Sequence, residues 1–120
     1  MHRDHRLFLD DILEAIAKIR DYTSELDYAS FAEDAKTQDA VIRNREIIGE
    51  AAGRLPNSVL AESPETEWRK IVGLRNILAH AHFGVSTPVV RDIIQNKLDA
   101  LEISCRSLLN KTIEPPHEPQ

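Results

Sequence analysis

An all-α fold, built as an antiparallel up-and-down four-helix bundle, is what this sequence predicts. Three observations carry that reading. Apolar residues recur at three- and four-residue intervals in four segments, no segment shows convincing strand alternation, and proline, glycine or short polar stretches separate the four. Amphipathic helices joined by short connections pack most economically as antiparallel neighbours.

The first helix is expected from about Arg6 to Ser24. Phe8, Ile12, Ala15, Ile16 and Ile19 fall at helical spacing there, with Leu9 and Leu13 widening the stripe. Glu25 to Ser30 reads as the first connection. The second helix is expected from Phe31 to Leu55, with Val41, Ile48, Ala52 and Leu55 on one stripe, Ile47 and Ala51 beside it, and Pro56 ending it. Gly49 costs that helix about 1 kcal/mol relative to alanine, so close packing of its backbone is the expected compensation. Asn57 to Glu65 is a connection with room for one short turn.

The third helix runs from about Thr66 to His82, with Gly84 as a left-handed terminator just past it. Ser86 or Thr87 caps the last helix, and Pro88 sits in the first turn, where a missing amide hydrogen costs least. Val90, Ile94, Leu98, Leu101, Cys105 and Leu108 then repeat through it. Residues 1–112 form one helical domain on this reading. Residues 113–120, which hold three of the six prolines, form a disordered tail.

A chain of 120 residues suits one domain able to bury about two-thirds of its unfolded surface. The charged amino-terminus is a poor secretory leader and no apolar run approaches a membrane span. Cys105 is the sole cysteine, so no intrachain disulfide exists and a cytoplasmic setting is expected. At core spacing, Cys105 reads as a small buried hydrophobe. The net charge of −5 argues against coating nucleic acid by bulk charge. A local cationic cleft is still compatible with it. Arg43, Arg45, Arg54, Arg69, Lys70 and Arg75 cluster in mid-chain, and Arg43 and Arg54 are close to three full turns apart. Arg43, Arg54 and Arg69 are candidate RNA- or phosphate-binding residues. The plainer reading is a solvated face with intrahelical ion pairs.

Chemistry concentrates in Arg75-Asn76-Ile77-Leu78-Ala79-His80. Arginine holds a phosphate by a forked pair of hydrogen bonds, and histidine moves a proton near neutral pH. Asn76 and His80 lie one turn apart on one helix face, and Arg75, roughly 140° round from His80, has the length to reach across. Ile71, Leu74 and Leu78 form a stripe nearly opposite His80, so His80 points away from the core its helix buries. A solvated helix-end histidine is the plainer alternative.

Other constellations are weaker. His80 and His82 project roughly 200° apart on a helix and cannot share an ion there, while His2 and His5 sit at a fraying terminus. No metal site and no cofactor are expected, and no glycine-rich phosphate loop or nucleophile elbow is present. Asp10 with Asp11, and Asp34 with Asp39, read as solvent-facing. Trp68 reads as an anchor for the motif helix, with base stacking the minority reading.

The stretch from Trp68 to Val85, containing R-N-x-L-x-H-x-x-F-G-V, resembles the signature of HepT-like proteins of the HEPN superfamily. The stretch Asn44 to Leu55, containing I-G-E-A-A, is similar to that family's second-helix segment. The resemblance covers most of residues 5 to 110. It implies a homodimer with a composite cleft, acting as the endoribonuclease toxin of a toxin–antitoxin pair whose antitoxin is a minimal nucleotidyltransferase. Catalysis would fall to Arg75, Asn76 and His80. The family usually reads R-x4-H-x-Y, and the tyrosine hydroxyl is where the partner attaches AMP. Here His82 stands in that place, without a phenol, as an auxiliary or modified residue or a space-filler; Tyr22 and Tyr28 are the only tyrosines. The same features fit a second expectation, a non-catalytic dimer subunit that binds a nucleotide or the nucleotidyltransferase.

Overall fold

The structure, a computed structural model, describes residues 4–73 and 97–113. Every regular element among the described residues is helical: α1 (His5–Thr23), α2 (Tyr28–Glu33), α3 (Ala35–Gly53), α4 (Asn57–Leu60), the turns at 68–73, and α5 (Leu98–Ile113).

α1 begins where Asp4 accepts a hydrogen bond from the Arg6 backbone N–H at 2.9 Å, satisfying one of the first-turn donors that a helix leaves open. Leu9, Ile12, Ala15, Ile16 and Ile19 form its buried stripe, within a residue of the expected bounds. One residue moves: Leu9 sits in the middle of the interface and Phe8 packs at its edge. α1 is the shared element, lying along α3 and also against α5.

The expected single helix from Phe31 to Leu55 is two helices. Asp34, at φ −105° and ψ 85°, leaves the helical region, and its side chain accepts from the Thr37 backbone N–H at 3.0 Å and from the Thr37 hydroxyl at 2.8 Å. Asp27 caps α2 in the same way through Ser30 at 2.7 Å. Gln38 Nε2 donates to the carbonyls of Phe31 and Ala32, satisfying open acceptors at the end of α2. Asp34, expected to face solvent, is half-buried and serves as the α3 cap. Asp34→Ala should lower the melting temperature by several degrees without abolishing the fold, and a thermal scan followed by circular dichroism checks it.

The core gathers the α1 stripe, Phe31, Val41, Ile48, Ala51, Ala52, Leu55, Val59, Trp68, Leu98, Leu101, Cys105 and Leu108. Gly49 is buried in α3. The stripe expected for the last helix appears in its described part, where Leu98, Leu101, Cys105 and Leu108 are all buried. Burial pushes the Cys105 thiol up to about 12, so it remains neutral and packs as an apolar group. The anticipated short turn after Pro56 is α4, whose Val59 is buried.

Half-buried Arg20 of α1 reaches Asp99 and Glu102 of α5, and Arg106 closes on Glu102 at 2.9 Å. The two arginines hold the Glu102 carboxyl below its ordinary value. A depressed carboxylate stabilises the fold fully above its unfolded value and loses that contribution as pH falls through the folded value. Wild type and Glu102→Gln should therefore differ in melting temperature at pH 7 and converge below about pH 4. Parallel scans across pH 3–7 check it.

Candidate active site

Arg75, Asn76, His80 and His82 lie outside the described residues, as do the expected Gly84 terminator and the cap at Ser86 or Thr87. The structure does show how the chain leading into the motif is held. Trp68 is buried, and its Nε1 donates to the Ser63 carbonyl at 3.2 Å. It is the anchor that the sequence suggests, and its burial removes it as a platform for base stacking. Beside it, the Ser63, Thr66 and Ser104 hydroxyls form a chain with both links at 2.7 Å. That chain ties the segment before the motif to α5. Lys111 adds a second tie by donating to the Glu62 carbonyl at 3.0 Å.

The turns at 68–73 also meet the end of α3. A Cβ built on Gly53 would stand 3.6 Å from Val72 Cγ1, an ordinary van der Waals contact. The carboxy-terminal half of α3 and the start of the motif segment are therefore neighbours. Arg43 and Arg54 are exposed and about 20° apart round the helix, with Arg54 at the α3 C-cap. Arg69 is exposed on the adjoining turn, beside Lys70, which pairs with Glu67 at 3.1 Å. The three arginines of the expected phosphate-binding set are thus at the surface, and two of them share a face.

Arg45 behaves differently from the rest of that cationic cluster. It is 1 % exposed, and its Nε and Nη1 have no hydrogen-bond partner among the described residues. Burial pushes it down to about 10, which still leaves it a cation at neutral pH. Its neighbour Asn44, also buried, is satisfied by the Ala40 carbonyl at 2.9 Å. Sequence reading counted Arg45 only as part of a surface cluster. The signal was available, because position 45 is one turn from Val41 and three residues from Ile48 on the buried stripe.

Among the described residues no three His, Cys, Asp or Glu side chains converge as a metal-ion site, and no helix is long and apolar enough to cross a membrane.

Comparison with known proteins places these features in a family. The model of the family described as "Ribonuclease HepT-like" matches residues 12–108, which include Arg75, Asn76, His80 and the α3 segment. "Probable ribonuclease HepT" of Thermococcus cleftensis is 41% identical over 102 residues, covering 85% of this chain and 93% of that protein. "Putative RNase MJ0127" of Methanocaldococcus jannaschii is 41% identical over 96 residues, covering 80% and 79%. A third relative, "Putative RNase TTE0752" of Caldanaerobacter subterraneus, is 28% identical over 106 residues, covering 88% and 95%. No solved structure matches the chain. With a family model spanning most of its length and relatives aligned nearly end to end, this chain belongs to the HepT-like ribonuclease family.

Proposed function

We propose that the protein is a metal-independent endoribonuclease, the toxin of a pair whose antitoxin is a minimal nucleotidyltransferase. The observation that carries this reading is the family match across the segment containing Arg75, Asn76 and His80. Cleavage starts from the ribose 2′-hydroxyl. Its proton leaves to a base, the 2′-oxygen bonds to phosphorus, the P–O5′ bond breaks, and the 5′-oxygen takes up a proton. His80 removes the first proton or supplies the second. Arg75 holds the phosphate and stabilises the charge that grows on its oxygens during attack. Asn76 orients the phosphate or the imidazole. The products are a 2′,3′-cyclic phosphate and a free 5′-hydroxyl, with no metal and no cofactor taking part.

The reading includes a homodimeric four-helix bundle of residues 1–112 that brings two copies of the motif to one cleft, followed by a disordered tail at 113–120, in a cytoplasmic setting. Ile103 of α5, 70% exposed, supplies apolar surface of the kind a second copy covers. Arg43, Arg54 and Arg69, all exposed, suit contacts to the RNA backbone. The test is cleavage of total RNA by purified protein in chelator, with end analysis. Cyclic phosphate ends in the wild type support the ribonuclease, and their absence from a folded, dimeric preparation counts against it.

His82 in place of the family's usual tyrosine favours a second reading. A subunit without toxic activity needs no covalent silencing, so the same dimer would hold a nucleotide or the nucleotidyltransferase without breaking a bond. Growth on expression without a partner separates the two: a toxin slows its host, and Arg75→Ala restores growth.

A further inference from the structure

Four charged residues on the outer side of α3 do not pair with one another. Arg43, Glu50 and Arg54 are exposed and fall within about 40° of arc, with Glu50 two turns beyond Arg43 and Arg54 one turn further. Glu46 and Ile47, both half-buried, stand between them at the two rims of this stripe. Elsewhere on the described surface, acid and base three or four residues apart close on each other: Glu14 with Lys18 at 4.0 Å, Glu67 with Lys70 at 3.1 Å and Glu102 with Arg106 at 2.9 Å. Glu50 and Arg54 are spaced in the same way, as are Arg43 and Glu46. None of these four makes an ion pair among the described residues.

The order of the charges indicates what the stripe fits. Two arginines separated by two carboxylates are a poor track for a polyanion, because the carboxylates repel the phosphates that the arginines draw in. The same order is self-complementary. When a second α3 lies antiparallel about a twofold axis passing between Glu46 and Ile47, position 43 of each helix faces position 50 of the other. Both Arg43–Glu50 pairs then form at once, about 5 Å to either side of the axis. Position 54 faces position 39 in that register, so a second arginine also meets a carboxylate, Asp39. Two neighbouring registers oppose like charges instead. An axis at Ile48 sets Glu46 against Glu50, and one between Ile48 and Gly49 sets Arg43 against Arg54.

We infer that α3 packs antiparallel against α3 of a second copy of this chain, with Arg43 of each copy paired to Glu50 of the other. The inference rests on the homodimer of the proposed function and deepens it by naming the face and register through which two copies meet. One helix face is smaller than the roughly 800 Å² per partner of a stable interface, so these pairs fix register and orientation more than affinity. Ile47 beside the axis adds apolar contact. Arg43 and Arg54 then face protein, which leaves Arg69 of the exposed arginines to the RNA.

Sedimentation velocity of the full chain gives the dimer dissociation constant of wild type, Arg43→Glu, Glu50→Arg and the double variant, with circular dichroism showing that each folds. Each single reversal sets two like-charge pairs across the axis and should weaken the dimer about 10-fold or more. The double variant exchanges the charges and should return to within about threefold of wild type. Arg43→Gln and Glu50→Gln, which only remove a charge, serve where a reversal does not fold, and should weaken the dimer by a smaller factor. Variants as dimeric as wild type overturn the inference, as does a monomeric wild type or a double variant no better than the singles. Rescue of Glu50→Arg by Arg54→Glu overturns the register, because those positions face each other only about an axis at Ala52. A short RNA with 2′-O-methyl riboses, which binds but cannot be cut, tests the other occupant. Arg43→Glu that loses this RNA while its dimer is unchanged returns the arginine to RNA binding and overturns the inference. The two readings fail separately. RNA cutting by a dimer indifferent to these charges removes the register and keeps the ribonuclease. Charge rescue of the dimer in a protein that cuts no RNA does the reverse.

Discussion

On the proposed mechanism, His80→Ala should lower the rate of RNA cleavage by ~10²–10⁴ relative to wild type, the range expected for loss of a positioned general acid or base. The loss should fall on kcat, because the imidazole is needed when the proton moves and contributes little to holding the RNA. Affinity for the uncleavable 2′-O-methyl RNA should consequently stay close to wild type in His80→Ala. Arg75→Ala is expected to depress both rate and affinity, since in the proposed mechanism the same guanidinium holds the phosphate in the ground state and stabilises added charge during attack. Single-turnover cleavage in chelator, with binding measured in parallel, separates the two patterns. Equal cutting by wild type and His80→Ala would remove His80 from the chemistry.

The second large effect concerns stability. Trp68→Ala should cost about 3–5 kcal/mol, as deletion of a buried aromatic side chain does. A loss of that size is a large part of the 5–15 kcal/mol that usually holds a domain together. The indole is part of the buried core, and its N–H is satisfied by the Ser63 carbonyl. Trp68→Phe keeps most of the apolar volume and drops the hydrogen bond, so it should cost nearer 1–2 kcal/mol. Urea unfolding of the three proteins checks the order, and a Trp68→Ala protein as stable as wild type would show that the indole anchors nothing. Cleavage should fall with Trp68→Ala even at temperatures where it stays folded, because the anchored turn leads directly into Arg75.

Much of the helical framework was legible because burial follows period. Ile12, Ala15, Ile16 and Ile19 are spaced for one helix face, and that face is buried. Leu98, Leu101, Cys105 and Leu108 read in the same way. The break at Asp34 was not legible in an alanine-rich window with continuous helical propensity. What ends α2 and starts α3 is a hydrogen-bond choice by one carboxylate, and it depends on Thr37 and Gln38 standing where they do. Swapping Phe8 for Leu9 at the centre of the α1 interface is a rotation of about one residue, too small for periodicity to fix. Arg45 was misjudged for a different reason. Composition assigns arginine to the surface, and only its register against Val41 and Ile48 places it inside. Arg75, Asn76 and His80 lie outside the described residues, so their roles rest on sequence pattern, family match and side-chain chemistry.

The Arg20 clasp has a consequence for how the chain is born. Its partners Asp99 and Glu102 are 79 and 82 residues away in sequence. α1 and α3 are both complete by Gly53 and can zip together early. The side of α1 that α5 covers has no such early partner among the described residues, and closing so long a loop carries an entropic cost before any contact repays it. While the protein is still emerging from the ribosome, part of the first helix to be made must therefore wait, with its clasp open, for the last.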